Sequence, residues 1–361
     1  MNKKNIVVFT CCGLGDFIWA TSAISLIKDY DKNVNLKLIL FNSYLPLIDK
    51  NLGVDELIEI SYKYFFSKNV FIRWGYKFFW LIKIYPYIHN SDILICLDKH
   101  SFFTKFAKYF CRIKNIVGPN NVWFGYNIKN DDSKYFTKTV IMPKDSDRNH
   151  CMMRYQHIIR SVYPTYNLSI PKLPDTSNLA NKIIKLIGTA KKHKIALCTQ
   201  GTAVWKCFGL NYLIKLLDVL KQLDDVTFFI VGSSINQKKE ADFIKLKLQN
   251  IDIQNICCKT SLLELKEFLK NMDLLISVDT GVAHLAAVSN TPIISFYGAT
   301  LPEQTGPITS KANMVYHKLD CLPCNSQIEI NRKICKDPKC IYNVTPNYVM
   351  EIITEILNSK K

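Results

Sequence analysis

The chain has 361 residues, too many for one ordinary core, which predicts two domains of roughly 150–200 residues each. A hydrophobic fraction of 48% with 21% charged residues describes a globular chain and excludes a disordered one. The formal charge of +17 is spread over both halves, with 24 bases against 14 acids up to residue 180 and 23 against 16 after it. This excludes a detachable basic tail and favours anionic partners: nucleic acid, phosphorylated small molecules or an anionic membrane.

In chain order, short β-rich runs alternate with helical stretches. A strand is predicted over 5–10, then an amphipathic helix over 16–30 with Phe17, Ala20, Ile24 and Ile27 at three- and four-residue spacing. Strands follow over 36–40, 92–97 and 116–118. The segment 62–88 carries twelve aromatics and five cations but no acid. Lys63, Lys68, Arg73, Lys77 and Lys83 break it up, whereas a membrane span needs about 20 mostly uncharged residues. Its composition suits an interfacial segment on anionic headgroups, single-stranded nucleic acid, or a helix packing its aromatic side into its own domain.

Pro164, Pro171 and Pro174 with Asp175–Thr176–Ser177–Asn178 read as a linker. The alternation then restarts: strand 195–199, helix 210–222, strand 227–231, helix 237–248, strand 253–257, helix 262–270, strand 274–278, helix 282–288 and strand 293–297. A final helix, 348–357, is expected beyond Pro346. Strands that are apolar on both faces and separated by helices imply parallel sheets covered on both sides. The expectation is an α/β protein of two doubly wound Rossmann-like domains facing a cleft. The amino-terminal domain covers 1–172, the second 179–345 with a cysteine-rich segment at 321–340, and 346–361 forms a carboxy-terminal helix. Lys3, Lys4 and the apolar run after them imitate a signal peptide, but Asp16 cuts the run short, so a cytoplasmic protein is expected. The thirteen cysteines, an odd number, fit a reducing compartment and thiols that serve mainly as small hydrophobes.

Four segments could carry chemistry. Gly13-Leu14-Gly15-Asp16 joins the first strand to the first helix, where glycines admit a ligand and the helix start offers free N–H groups. Ile18 stands where a dinucleotide fingerprint needs its third glycine, which disfavours NAD. Asp16 is either a carboxylate at the mouth of a site or a helix cap. Asp279-Thr280-Gly281, with His284 one helical turn on, forms a strand–turn–helix suited to phosphate and sugar. In Gln200-Gly201-Thr202-Ala203-Val204-Trp205-Lys206 a glycine turn carries a cation, and Lys206 is a candidate to neutralise a leaving diphosphate or else a surface lysine. Cys321-x2-Cys324-x10-Cys335-x4-Cys340, flanked by Pro323, Arg332, Lys333 and Lys336, has the look of a structural zinc or iron knuckle, against the alternative of reduced thiols under a loop.

Taken together, Gly13-x-Gly15-Asp16, Lys206 and Asp279-Thr280-Gly281-x-x-His284-x-Ala286-Ala287 resemble glycosyltransferase family 9, the bacterial heptosyltransferases. Lys259-Thr260-Ser261-Leu262 is similar to the family's loop before the Asp-Thr-Gly turn. The resemblance implies a GT-B fold and heptose transfer from ADP-heptose to the lipopolysaccharide core by a peripheral enzyme at the inner face of the cytoplasmic membrane. It implies Asp16 as general base, Gly13 and Gly15 as its loop, and Lys206, Thr260, Asp279, Thr280, Gly281 and His284 as donor-binding residues. No cofactor is implied for the chemistry, and no nucleic-acid partner. Thr10 stands where many members have arginine, Ser22 where many have proline, and Phe208-Gly209 where Trp-Pro is usual, which leaves the acceptor and the donor sugar open. The cysteine cluster resembles one in a subset of members, some of which glycosylate proteins. Competing readings are a same-fold transferase acting on a protein or another glycan, a nucleotide-sugar epimerase, and a non-catalytic module binding membrane or nucleic acid.

Overall fold

The computed structural model describes residues 3–98, 101–120, 122–123, 126–127, 133–142, 150–201, 204–322, 324, 335 and 338–359. The chain divides into two compact units, Met1–Pro174 and Asp175–Lys361.

The first unit contains strands β1 (Lys4–Phe9), β2 (Val34–Phe41), β3 (Glu56–Ile60), β4 (Ile93–Cys96) and β5 (Asn115–Pro119). A two-stranded hairpin, β6 (Val122–Trp123) and β7 (Tyr126–Asn127), precedes β8 (Lys138–Val140). Its helices are α1 (Leu14–Tyr30), α2 (Tyr62–Phe65), α3 (Val70–Ile88), α4 (Ser101–Phe110) and α5 (Cys151–Arg160). The main sheet runs β3-β2-β1-β4-β5-β8, parallel throughout.

The second unit contains β9 (His193–Cys198), β10 (Val226–Ile230), β11 (Ile253–Asn255), β12 (Leu274–Val278), β13 (Ile293–Phe296) and β14 (Ala312–Val315). Among them lie α6 (Ala180–Ile187), α7 (Leu210–Leu220), α8 (Ile235–Lys247), α9 (Leu262–Lys270), α10 (Gly281–Val288), α11 (Pro302–Thr305), α12 (Lys339–Tyr342) and α13 (Pro346–Asn358). This sheet, β11-β10-β9-β12-β13-β14, is also parallel.

Both units therefore have the expected α/β, GT-B-like doubly wound topology. In each, the first strand lies inside the sheet, and the chain winds to one edge before returning to build the other. The order reverses between β1 and β4 and between β9 and β12, and such reversals open a crevice beyond the strands' carboxyl ends. The inner strands are apolar on both faces because helices cover both: β12 is buried along its whole length, as is β1 from Ile6 to Phe9. Phe9 stacks on Phe103 of α4 at 4.2 Å. In the second unit Leu213, Leu216 and Leu220 of α7 share a core with Phe228, Ile276 and Val349 and Ile353 of α13.

The final helix begins at Pro346, earlier than expected. Thr345 caps it, its hydroxyl accepting from Tyr348 N–H at 3.4 Å, and proline suits a first-turn position whose N–H has no helical partner. The edge strands β3, β8 and β14, and helices α5 and α6, carried no pattern that predicted them. The edge strands are short and partly polar, and α5 buries Arg154 and Gln156 beside its apolar side chains, which blurs its periodicity. Among the described residues no helix is long and apolar enough to cross a membrane.

Candidate functional site

In each unit a polar cluster sits at the point where the strand order reverses. In the first, β1 runs out through Thr10-Cys11-Cys12 to Gly13, which starts α1 in an extended conformation without a side-chain cap. Asp16 occupies the third helical position, half-buried, and does not stand at the cap. Its carboxylate folds back over Gly13: a Cβ added there would lie 3.3 Å from Asp16 Oδ2. A carboxylate in the first turn of a helix is favoured in its charged form by the dipole and free N–H groups.

Asp98, just beyond β4, is the second acid of this cluster, and the sequence reading did not single it out. Its Oδ2 accepts from Thr10 Oγ1 at 2.9 Å and from Cys11 N–H at 3.1 Å, and its Oδ1 accepts from Tyr155 Oη at 3.2 Å. The fields of the two carboxylates meet on their neighbours. Burial first, then the charges of Asp98 and Asp16, pushes the Cys12 thiol well above its ordinary range. Burial and the same two charges do likewise to the Tyr155 hydroxyl. The available signal for Asp98 was a carboxylate immediately after an all-apolar strand; Tyr155, on an unforeseen helix, had none.

The departures at positions 10 and 22 have local reasons. Thr10 is committed to Asp98. Ser22, on α1, faces α5, donating to Trp19 O at 2.7 Å and accepting from Gln156 Nε2 at 3.1 Å.

In the second unit the cluster forms beyond β9, β12 and β13. Lys206 Nζ reaches Asp279 Oδ2 at 2.5 Å, and Thr300 Oγ1 donates to the same oxygen at 2.5 Å. The Asp279 side chain is 9% exposed and that of Lys206 23%, so the ammonium is held by a nearly buried carboxylate with one flank open. Gly201 permits this approach: a Cβ there would lie 2.8 Å from Lys206 O and 3.4 Å from Asp279 O. Thr202 and Ala203 of the same loop lie outside the described residues.

Thr280 is the N-cap of α10, but its hydroxyl makes no cap hydrogen bond to the first-turn N–H groups. Ala283 and Ala286 let α10 sit close on the sheet, and His284 is buried with them. Thr260 precedes Ser261, which begins α9 with a reciprocal Ser261–Glu264 cap. No hydrogen bond among the described residues links Thr260 to Lys206 or Asp279. Chemically, a fixed cation beside an uncapped helix start suits a diphosphate.

The model of the family described as Glycosyltransferase family 9 (heptosyltransferase) matches residues 145–335. The chain belongs to glycosyltransferase family 9.

Lipopolysaccharide heptosyltransferase 1 of Campylobacter coli is 23% identical over 98% of this chain and 99% of its own length. Lipooligosaccharide heptosyltransferase 2 of Campylobacter jejuni is 29% identical over 157 residues, 43% of this chain, and this match spans only 47% of that relative. The solved structure of E. coli ADP-heptose lipopolysaccharide heptosyltransferase II superposes with a TM-score of 0.73 at 15% identity, covering 99% of both chains, a likeness of fold.

Two features of this family 9 member depend on close packing around glycines. Gly209, of the Phe208-Gly209 pair, lies against α12: a Cβ there would come 2.7 Å from Tyr342 Oη. At Gly298, beyond β13, a Cβ would come 2.3 Å from Cys340 Sγ, so the end of the cysteine-rich segment is anchored two residues from Thr300. All thirteen cysteines are free thiols. Burial raises Cys324 to about 11, helped by the charges of Cys321, Cys340 and Cys335. Among the described residues, however, no group of three or more His, Cys, Asp and Glu side chains is arranged to hold a metal ion. Pro323, Arg332, Lys333 and Lys336 of this segment lie outside the described residues.

Proposed function

We propose that this protein is an inverting glycosyltransferase that moves heptose from ADP-heptose to a lipopolysaccharide core acceptor. The observation that carries the reading is the grip in the second unit, where Lys206, oriented by Asp279 and Thr300, stands with the uncapped start of α10. That combination favours a nucleoside diphosphate in both the ground state and the departing state. Family membership and the full-length likeness to a Campylobacter coli heptosyltransferase support heptose as the sugar. The ADP-heptose enzyme of E. coli, with the same fold, supports ADP as its carrier.

In the step itself, the acceptor hydroxyl oxygen attacks the anomeric carbon while the bond from that carbon to the diphosphate oxygen breaks. The configuration inverts, ADP leaves with the bonding electrons, and the hydroxyl proton passes to Asp16. Lys206 and the N–H groups near Thr280 and Gly281 take up the charge that develops on ADP. Asp98 and Tyr155 keep the tip of β1 in place beneath Asp16 and act as positioning residues.

A lipid-linked acceptor goes with peripheral work at the inner face of the cytoplasmic membrane. The structural zinc or iron expected at Cys321, Cys324, Cys335 and Cys340 has no support in their placement, since among the described residues no three such side chains are arranged to hold a metal ion. Metal analysis of the purified protein tests this, and zinc or iron bound at these thiols would overturn it.

The function is tested by mass spectrometry of nucleotide sugars incubated with lipid-core and peptide acceptors. Transfer of heptose to the lipid core is expected. Transfer to peptide instead would replace the acceptor, and donor turnover without any acceptor would indicate an epimerase. Asp16→Asn should leave ADP affinity within about twofold while lowering transfer by about a hundredfold or more, in the range for loss of a positioned base. Substantial remaining turnover removes Asp16 from its role.

A further inference from the structure

Helix α3 is apolar on two opposite faces. Asn69 starts it, its side chain accepting from Phe71 N–H at 3.0 Å and Ile72 N–H at 3.2 Å. Its inner stripe, Trp80, Leu81, Ile84 and Ile88, packs into the first unit, with Trp80 Nε1 donating to Glu59 O at 2.9 Å. The outer stripe stays in water: Phe71 is 88% exposed, Phe78 64%, Phe79 73% and Ile82 56%. Isolated exposed apolar side chains are ordinary, but a surface helix normally turns polar residues outward, and a contiguous apolar stripe marks a contact face. Helix α4 extends it, through Trp74 against Phe102 at 5.6 Å and Tyr85 against Phe106 at 6.3 Å.

Charge identifies what covers this face. Lys63, Lys68, Arg73, Lys77 and Lys83 belong to the same segment, Arg73 and Lys77 on the side of Trp80 and Ile84; no acid occurs between 62 and 88, and none of the five is in an ion pair with a carboxylate among the described residues. Lys77 is spent locally, its ammonium 4.5 Å from the Phe65 ring centre. Arg73 donates to Ser67 O at 3.4 Å and Lys63 lies 5.7 Å from the Tyr64 ring centre, contacts that leave their charge, like that of Lys68 and Lys83, for an anionic surface. A second copy meeting this face symmetrically would set these cations against their own counterparts. The helix is not long and apolar enough to span a bilayer. We propose that the outer face of α3 is an in-plane membrane anchor that seats its aromatic stripe among anionic lipid headgroups.

The inference goes beyond the proposed transfer reaction and is read without substrate, so vesicle binding and transfer can each fail alone. The full-length protein is sedimented with vesicles of phosphatidylethanolamine plus phosphatidylglycerol, and with vesicles of phosphatidylcholine. Binding to the anionic vesicles, weakened by salt, and little binding to the neutral ones is expected. Phe78→Ser with Phe79→Ser should lower the partition about tenfold or more. Phe71→Ser, at the most exposed position, should lower it by a smaller factor without disturbing the fold. Absence of binding, equal binding to both vesicle types, or unchanged binding by the variants overturns the proposal. A dimer that the Phe78→Ser, Phe79→Ser variant converts to monomers, with no vesicle binding, assigns the face to a second copy.

Discussion

Asp279 shows how a residue that reads as a ligand contact can act through its neighbour. One of its oxygens receives both Lys206 Nζ and Thr300 Oγ1, so the carboxylate fixes where the cation sits and which flank stays open. Removing it leaves a partly buried ammonium without its counter-charge. Breaking a buried pair costs about 3–5 kcal/mol, and the 23% exposure of Lys206 places this case lower, at about 2–3 kcal/mol. Asp279→Ala should therefore lower the denaturation midpoint and weaken ADP binding together. Lys206→Met combined with Asp279→Asn should recover much of the stability, because no charge remains buried, yet bind ADP no better than Lys206→Met alone. Chemical denaturation with ADP titration calorimetry separates the two effects, and recovery of ADP affinity in the double variant would deny Lys206 its role. Asp98 belongs to the same class. It touches Thr10, Cys11 and Tyr155, and it reaches the chemistry only by holding the strand end from which Asp16 projects.

At the scale of elements, the decisive contacts are those in which a glycine lets one segment lie against another. The sulfur of Cys340 fills the space a side chain at position 298 would need, and the Tyr342 hydroxyl does the same at position 209. The end of the cysteine-rich segment is thereby fastened to β13 and to the start of α7. Gly298→Ala should destabilise the second unit by about 1–3 kcal/mol, the usual cost of overpacking a filled site. Cys340→Ala should relieve most of that penalty when combined with it, so the two substitutions interact strongly in a double-mutant cycle. Simple additivity in thermal unfolding would show that the contact is not what constrains position 298. Helix α3 poses the converse problem, an element with more apolar surface than its own unit can cover.

For the whole molecule, the buried thiols weaken the fold as pH rises into the alkaline range. Burial raises Cys111, Cys198 and Cys257 to about 12 each. An unfolded thiol ionises near 8.5, so below that pH both states hold the proton and the contribution is fully present. As pH climbs from about 8.5 toward 12 the unfolded chain releases protons that the folded one retains, and stability falls. Denaturant midpoints should decline across this window, and Cys198→Ala should make the decline shallower; an unchanged slope would remove that thiol from the account. Periodicity made most of both sheets legible, because a strand buried on two faces leaves an uninterrupted apolar run and the helices between leave a 3.6-residue pattern. The edge strands β3, β8 and β14 escaped notice because one side of each faces water or chain ends and needs no such run. Asp16, Lys206 and the 279–281 turn could be picked out since each follows an apolar strand at a glycine turn, a local signature. Asp98 reads as one more carboxylate, and Tyr155 and Thr300 join their partners only through the folding of α5 and the β13 loop beside them. The sequence alone determined the two doubly wound units and the strand ends at which chemistry could sit, because burial and turn formation are encoded over a few consecutive residues. Which side chains meet there, and that α3 turns an aromatic stripe to the solvent, only the tertiary structure decided, because such contacts join residues as much as 88 positions apart, as in the Thr10–Asp98 pair.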